Sequence, residues 1–124
     1  MALANLEPER RGDTWRWLFK FPITGTANYL DIQGYKFFFT MKSELEDTDA
    51  DAIIKEDVEL VSGTPLYQVE IVIDNVRSAA VVPGKYYYDL QGITTGGDVF
   101  TVKFKDDKPK ITILPDVTIR TVPE

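Results

Sequence analysis

This chain of 124 residues contains no cysteine and no histidine, two residue types that carry much of protein chemistry. Without cysteine, a protein forms neither a disulfide framework nor a thiolate metal site. Without histidine, it lacks the commonest general base and the commonest metal ligand. The two absences exclude several kinds of enzyme and metalloprotein, and we predict no metal site and no cofactor.

Carboxylates are plentiful, but no group of them marks a catalytic site. An enzyme that works with carboxylates needs two positioned groups or one tuned base in an apolar cleft. No Asp or Glu of this chain lies at the end of an apolar strand in a position that would distinguish a catalytic carboxylate from a solvent-exposed one. We therefore predict no catalytic residues and no enzymatic activity.

One acidic segment has the beginning of a calcium-binding pattern. Asp47, Asp49 and Asp51 have the spacing of the first, third and fifth ligand positions of a calcium loop. Ala52 stands where that loop requires glycine, and Val58 stands where it requires a bidentate Glu. We interpret the segment as a solvated acidic loop.

Strong positive charge and long apolar runs are also missing. The formal net charge is −6, and lysine and arginine are scattered along the chain, which disfavours nucleic acid as a partner. No segment approaches the roughly 18 apolar residues that a membrane span requires. The first residues lack the pattern of a signal peptide. The sequence thus predicts no nucleic-acid partner and no membrane association.

Hydrophobic and aromatic residues are abundant, at 44% and 12% of the chain. Such a composition is typical of a globular protein rich in strand-forming residues, because a disordered chain lacks both classes. A chain of this length fits one domain that buries roughly 65% of its unfolded surface.

The segment Gly84–Leu90 is the most strongly specified strand, and we place it at the centre of the sheet. Its side chains alternate between two faces, and Tyr86, Tyr88 and Leu90 form the predicted core face. We predict that a turn at Gln91–Gly92 ends this strand.

Clear alternation of apolar and polar residues predicts five further strands: Asp13–Phe21, Tyr35–Lys42, Leu66–Asp74, Asp98–Lys105 and Lys110–Leu114. The predicted core faces of the first three are Trp15, Trp17, Phe19 and Phe21; Tyr35, Phe37, Phe39 and Met41; and Tyr67, Val69, Ile71 and Ile73. Ala52–Val61 alternates less cleanly, so we predict a strand near a sheet edge. The pattern fails at Asn75–Val82, which indicates a short helical turn or loop. Val117–Val122 has the pattern of a possible last strand.

About seven short strands separated by turn residues are typical of an all-β protein, and we predict an antiparallel immunoglobulin-like β-sandwich. A small barrel is the main alternative. The predicted organisation is an extended N-terminal arm at residues 1–12 and one sandwich domain at residues 13–124.

The N-terminal arm is polar and has little to bury by itself. Leu3 and Leu6 are its sizeable apolar side chains apart from Met1. Ordering each residue costs roughly 1–2 kcal/mol of backbone entropy. We therefore predict that Leu3 and Leu6 dock on a neighbouring chain, and that deletion of residues 1–10 leaves the melting of the isolated domain nearly unchanged.

Phe38 and Tyr87 are bulky aromatic residues on the otherwise polar faces of their strands. Exposed aromatic side chains of this kind suit a protein interface, although an isolated one needs no explanation. Together with Leu3 and Leu6, they are the candidate interface residues. Trp15 and Trp17 have a second interpretation as a sugar-stacking platform, but their shared face with Phe19 favours the core.

Five segments in the same order resemble the N-terminal domain of tailed-phage baseplate upper proteins and its stand-alone relatives: Arg11–Thr14, Leu30–Gly34, Asp47–Ile54, Pro83–Asp89 and Pro115–Thr118. The resemblance covers most of residues 10 to 119. It implies an immunoglobulin-like sandwich that builds virions, with no catalytic residues to carry over. This chain has no long C-terminal stalk or receptor-binding region, so a head decoration or connector role is as open as a baseplate or tail role.

The resemblance implies a structural virion protein of a tailed bacteriophage that acts by protein–protein assembly. Its expected partners are other virion proteins and further copies of the chain in a homo-oligomer, and its expected location is the virion. The alternative from another class is a carbohydrate-binding or adhesion module.

Overall fold

The strand predicted to be central lies at the centre of the larger of two β-sheets. In the computed structural model, which describes residues 3–23, 25–44 and 52–115, this strand pairs antiparallel with three others. The elements are β1 (Glu9–Arg10), β2 (Trp15–Phe19), β3 (Lys36–Lys42), β4 (Ile54–Glu59), β5 (Val69–Ile73), α1 (Asn75–Ala79), β6 (Gly84–Ile93), β7 (Val99–Thr101) and β8 (Lys110–Leu114). The larger sheet has the order β1-β8-β6-β3-β4, with β7 paired to β6, and the smaller sheet is β2-β5.

The turn predicted at Gln91–Gly92 is wrong, because β6 continues to Ile93. Gly92 lies beneath the ring of Phe100, where a Cβ atom would come within 2.4 Å of the ring. This glycine therefore serves close packing inside a strand and not a turn. The chain reverses two residues later, where the Thr94 amide donates to the Asp98 carbonyl at 2.9 Å.

The core lies between the two sheets and consists largely of the aromatic faces that alternation predicts. The Trp17 ring of β2 lies 5.0 Å from the Phe39 ring of β3, and the Phe104 ring lies between Phe19 and Tyr88 at 6.1 and 5.1 Å. The buried hydrophobic residues are Trp15, Trp17, Phe19, Ile32, Phe37, Phe39, Met41, Ile54, Val69, Ile71, Ile73, Val81, Tyr86, Tyr88, Leu90, Val102, Phe104, Ile111 and Ile113.

The two tryptophans are core residues, so they form no exposed platform for sugar stacking. Trp15 is 0% exposed and Trp17 is 7% exposed. Tyr67, by contrast, was predicted to face the core and is 49% exposed. The reason is that β5 begins only at Val69, so Tyr67 lies in the preceding loop.

The described part of the N-terminal arm belongs to the larger sheet, and Leu3 and Leu6, which we predicted to dock on a neighbouring chain, pack within their own chain. β1 pairs with β8 in parallel, with Glu9 opposite Ile113. Leu3 exchanges backbone hydrogen bonds with Lys103 and Lys105 at 2.8 and 2.9 Å. Leu3 and Leu6 are half-buried and pack against the chain's own core.

The turn between the arm and β2 is fastened to α1. Ser78 is fully buried, and its hydroxyl donates to the Asp13 carbonyl at 2.6 Å and accepts from the Gly12 amide at 3.0 Å. The Arg11 Nε donates to the Ala79 carbonyl at 2.7 Å. This short helix, predicted from the failure of the strand pattern, thus holds the start of the first long strand in place.

The fold is all-β apart from α1, and its larger sheet is mixed because β1 and β8 run parallel. The antiparallel arrangement predicted for the whole fold therefore does not hold at this pair. None of the helical residues that the structure describes forms a segment long and apolar enough to span a membrane. The acidic segment at Asp47–Asp51 and the possible strand at Val117–Val122 lie outside the described residues.

Candidate protein interface

The face of the larger sheet that points away from β2 and β5 carries polar and charged side chains together with Phe38 and Tyr87. We call it the outer face. Its side chains alternate along each strand with the buried ones, as expected of a sheet with one face in the core. They include Lys36, Phe38, Thr40, Lys42, Lys55, Asp57, Glu59, Lys85, Tyr87, Asp89, Gln91, Thr101, Lys110 and Thr112, and the pairing of Lys36 with Ile93 and of Ile93 with Val99 places these two apolar residues on the same face.

Strand register brings Phe38 and Tyr87 onto the same face. Phe38 lies between Asp57 on β4 and Gln91 on β6. Tyr87 lies opposite Lys42, which is four residues further along β3 than Phe38. The two aromatic side chains are therefore on neighbouring strands, about 13 Å apart along the strand direction.

A row of Lys55, Thr40 and Asp89 separates the two aromatic residues. Two depressions, of about 430 Å³ and about 210 Å³, meet at this row, the first lined by Phe38 and the second by Tyr87. Thr40 lines both depressions, as do Lys42 and Asp89. The outer face is thus one continuous surface with two aromatic positions.

The charge of the outer face differs in sign from that of the chain. Lysines outnumber carboxylates there, although the formal net charge of the chain is −6. The Lys110 Nζ lies 5.3 Å from the centre of the Tyr87 ring, which is within the range of a cation–π interaction. The Lys36 and Glu59 side chains approach to 4.0 Å, but both are exposed, and such pairs contribute little stability.

The four candidate interface residues fall into two groups. Phe38 and Tyr87 share the outer face, whereas Leu3 and Leu6 lie on the arm and contact the core. Sequence reasoning did not select the polar residues around Phe38, such as Asp57 and Gln91, because their proximity depends on the register of three strands. Their alternation with buried residues was the only signal in the sequence.

A second concave surface, which we call the arm groove, lies between the arm and β2. Its walls are residues Leu3–Glu7 and Glu9 on one side and Arg16–Lys20 on the other, and its volume is about 430 Å³. The Glu9 carboxylate accepts a hydrogen bond from the Trp17 Nε1 at 2.8 Å. Burial raises the pKa of Glu9 above its ordinary value of 4.5; the hydrogen bond from Trp17 opposes this shift and the nearby charge of Asp13 adds to it.

The raised pKa of Glu9 predicts a loss of stability as the pH rises. Because the folded protein holds this proton more tightly than the unfolded chain does, the free energy of unfolding falls as the pH rises from about 4.5 through the folded pKa. Glu9→Gln keeps an oxygen acceptor for Trp17 and removes the titration. We expect the variant to gain stability relative to the original chain between pH 4 and pH 7, measured by urea unfolding.

The control for this comparison is Glu7→Gln, since Glu7 is an exposed carboxylate on the same arm. This control removes one negative charge from the arm without touching Trp17, and the gain of Glu9→Gln is measured against it. Identical pH dependence of the Glu9→Gln variant and the original chain would contradict the assignment.

Within the described residues, no group of three Asp or Glu side chains is placed to hold a metal ion. Comparison of the chain with protein-family models, with curated proteins and with solved structures returns no match.

Proposed function

We propose that this protein is a structural component of a tailed-bacteriophage virion and that it works by protein–protein assembly through its outer face. The observation that carries the proposal is the placement of Phe38 and Tyr87 on one open sheet face among charged side chains. The order of the five segments that resemble the phage baseplate domain supports the virion context.

The chemistry of the outer face suits a protein partner. Binding energy at protein interfaces concentrates in a few aromatic or arginine side chains, and surrounding polar groups exclude water and set the register. Phe38 and Tyr87 provide two such anchors. The neighbouring lysines and carboxylates provide charges that select a complementary surface and speed association.

An immunoglobulin-like sandwich remains our proposal for the fold type. It is supported by two sheets with an aromatic core between them and by the order of the segments in the sequence. The parallel pairing of β1 with β8 is an addition at one sheet edge, made by the arm.

A carbohydrate-binding role is the second candidate, and the same surface favours it. Aromatic rings on an open sheet face stack on sugars, and nearby amide and carboxylate groups hydrogen-bond to hydroxyls. Around Phe38 these groups are Asp57 and Gln91, and next to Tyr87 lies Asp89.

The double variant Phe38→Ser, Tyr87→Ser tests the outer face. Loss of two anchors of about 2 kcal/mol each should weaken assembly by roughly three orders of magnitude, with unchanged circular dichroism. Sedimentation velocity and negative-stain images of the purified protein measure the assembly. The control is Tyr67→Ser, because Tyr67 is an exposed aromatic residue in the loop before β5.

Rings or lattices that form with the original chain and the control, but not with the double variant, are the expected result. Assembly that is as strong in the double variant as in the original chain would overturn the role of the outer face. A protein that stays monomeric and binds oligosaccharides on a glycan array, with loss of binding in the double variant, would overturn the proposal in favour of carbohydrate binding.

A further inference from the structure

The two sheets end in edge strands of different chemical character. An edge strand exposes unpaired backbone groups, and natural proteins commonly protect it with charged side chains. β4, at the edge of the larger sheet, carries Lys55, Glu56, Asp57 and Glu59 among its six residues. β2 has only one charge, Arg16, and its exposed Leu18 adds apolar surface. The edge of β2 therefore lacks the usual protection.

The unprotected edge of β2 forms one wall of the arm groove. β2 pairs with β5 and with no other strand of the described chain. Alternate residues of an antiparallel strand direct their N–H and C=O groups to opposite sides, so half of the β2 backbone groups point away from β5. Five consecutive residues, Arg16–Lys20, line the groove, as do the consecutive residues Leu3–Glu7 opposite. The arm and the β2 edge thus form the two walls of this groove, and only the β2 wall is a strand with free backbone groups.

One end of the arm groove is closed, and the chain leaves the described fold near that end. The turn Arg11–Thr14 connects the two walls and is held on α1 by Arg11 and Gly12. The Arg10 Nη1 donates to the Pro115 carbonyl at 3.2 Å, and the Arg11 amide donates to the Leu114 carbonyl at 2.9 Å. β1 lies between β8 and the groove. Pro115, the last described residue of the chain, therefore lies at the Arg10–Arg11 end of β1 and on the opposite side of β1 from the groove.

We propose that the arm groove binds residues 117–122 of a second copy of this chain as an added β-strand. The segment reads Val-Thr-Ile-Arg-Thr-Val, in which every residue except Arg120 is β-branched, the class that favours strands. Arg120 can pair with Glu7 and Glu9 on the arm wall, whereas Arg16 and Lys20 lie on the opposite wall, so the arginine is expected on the arm side. Backbone hydrogen bonds to the β2 edge hold the strand, as in other cases of strand addition. This contact is independent of the outer face.

The test compares the full chain with a chain that ends at Pro115, which retains every strand and the helix of the described fold. We expect the full chain to associate with rising concentration in sedimentation velocity. In the Phe38→Ser, Tyr87→Ser background, which removes association through the outer face, the shortened chain should stay monomeric with the same circular dichroism while the full chain still associates. The Phe38→Ser, Tyr87→Ser variant is run in parallel, so that association through the outer face is measured separately.

A synthetic peptide covering residues 115–124 should bind the shortened chain. Trp17 lines the groove, so its fluorescence reports occupancy, and the peptide contains no tryptophan. A control peptide with Ile119→Pro removes a backbone donor and should bind about tenfold more weakly. Leu18→Glu places a charge in the groove and should also weaken binding of the peptide.

Three results would overturn the proposal. The first is equal association of the shortened and full chains. The second is the absence of saturable peptide binding. The third is a full chain that stays monomeric at all concentrations while the shortened chain binds the peptide, because the segment then occupies the groove of its own chain. Association of the full chain carrying the outer-face changes through residues 117–122 supports the groove, and the outer-face proposal fails only if this chain associates as strongly as the original one.

Discussion

Replacing Trp17 by alanine should lower the free energy of unfolding by about 3–5 kcal/mol, as large-to-small changes in cores do. Trp17 is almost completely buried between the sheets, 5.0 Å from the Phe39 ring, and its Nε1 donates to Glu9. The variant loses the ring contact and leaves a cavity in the centre of the molecule. Such a loss is a large share of the roughly 5–15 kcal/mol that stabilises a domain.

The effect is measured by comparing the free energies of unfolding of Trp17→Ala and Leu18→Ala, both obtained from unfolding in urea. Leu18 is the next residue on β2 and is 53% exposed, so its change should cost less than about 0.5 kcal/mol. If Trp17→Ala does not fold, Trp17→Phe keeps an aromatic ring and gives a measurable, smaller loss. A larger effect at Leu18 than at Trp17 would mean that the two faces of β2 are reversed.

Deleting residues 1–10 should destabilise the isolated domain by roughly 3–6 kcal/mol, the opposite of what the sequence led us to expect. The deletion removes the half-buried Leu3 and Leu6 and the whole of β1. It also removes the acceptors of two indole N–H groups, since Trp15 donates to the Arg10 carbonyl at 2.8 Å and Trp17 donates to Glu9. The lost burial of apolar side chains and the two indole donors left without acceptors each lower the free energy of unfolding by on the order of a few kcal/mol.

Thermal unfolding of the shortened protein, with Leu6→Ala and Glu7→Ala as point variants, tests the role of the arm. Leu6 is half-buried, and its amide donates to the Tyr88 hydroxyl at 2.9 Å, whereas the Glu7 side chain is exposed. We expect a clear loss of stability for Leu6→Ala and almost none for Glu7→Ala. Unchanged melting after the deletion would restore the expectation that the arm acts only on a neighbouring chain.

The strands with strict alternation were predictable because period-two burial is a local property. The aromatic face of β2 and the tyrosine face of β6 are buried as predicted, and Lys110–Leu114 has the predicted bounds. The strand end at Gln91–Gly92 was not predictable, because the same glycine serves a turn or a close contact. The choice depends on where Phe100 packs.

Of the candidate interface residues, the sequence identified Phe38 and Tyr87 as outward-facing aromatic residues but gave no distance between them. Their common surface requires the pairing of β3 with β6 and a register in which Lys42 lies opposite Tyr87. A register shifted by one residue would place the side chains of one strand on the other face.

The sequence by itself determined the all-β class, the central strand, most of the core residues and the short helix after β5, because these follow from local periodicity and turn chemistry. Only the tertiary structure decided the place of the arm. Leu3, Leu6 and Glu9 have no periodic pattern of their own, and their partners Lys103, Tyr88 and Ile113 lie about eighty to a hundred positions away. Such long-range pairing depends on how the whole chain closes around the aromatic core, and the tertiary structure alone shows the groove that this closure leaves beside β2.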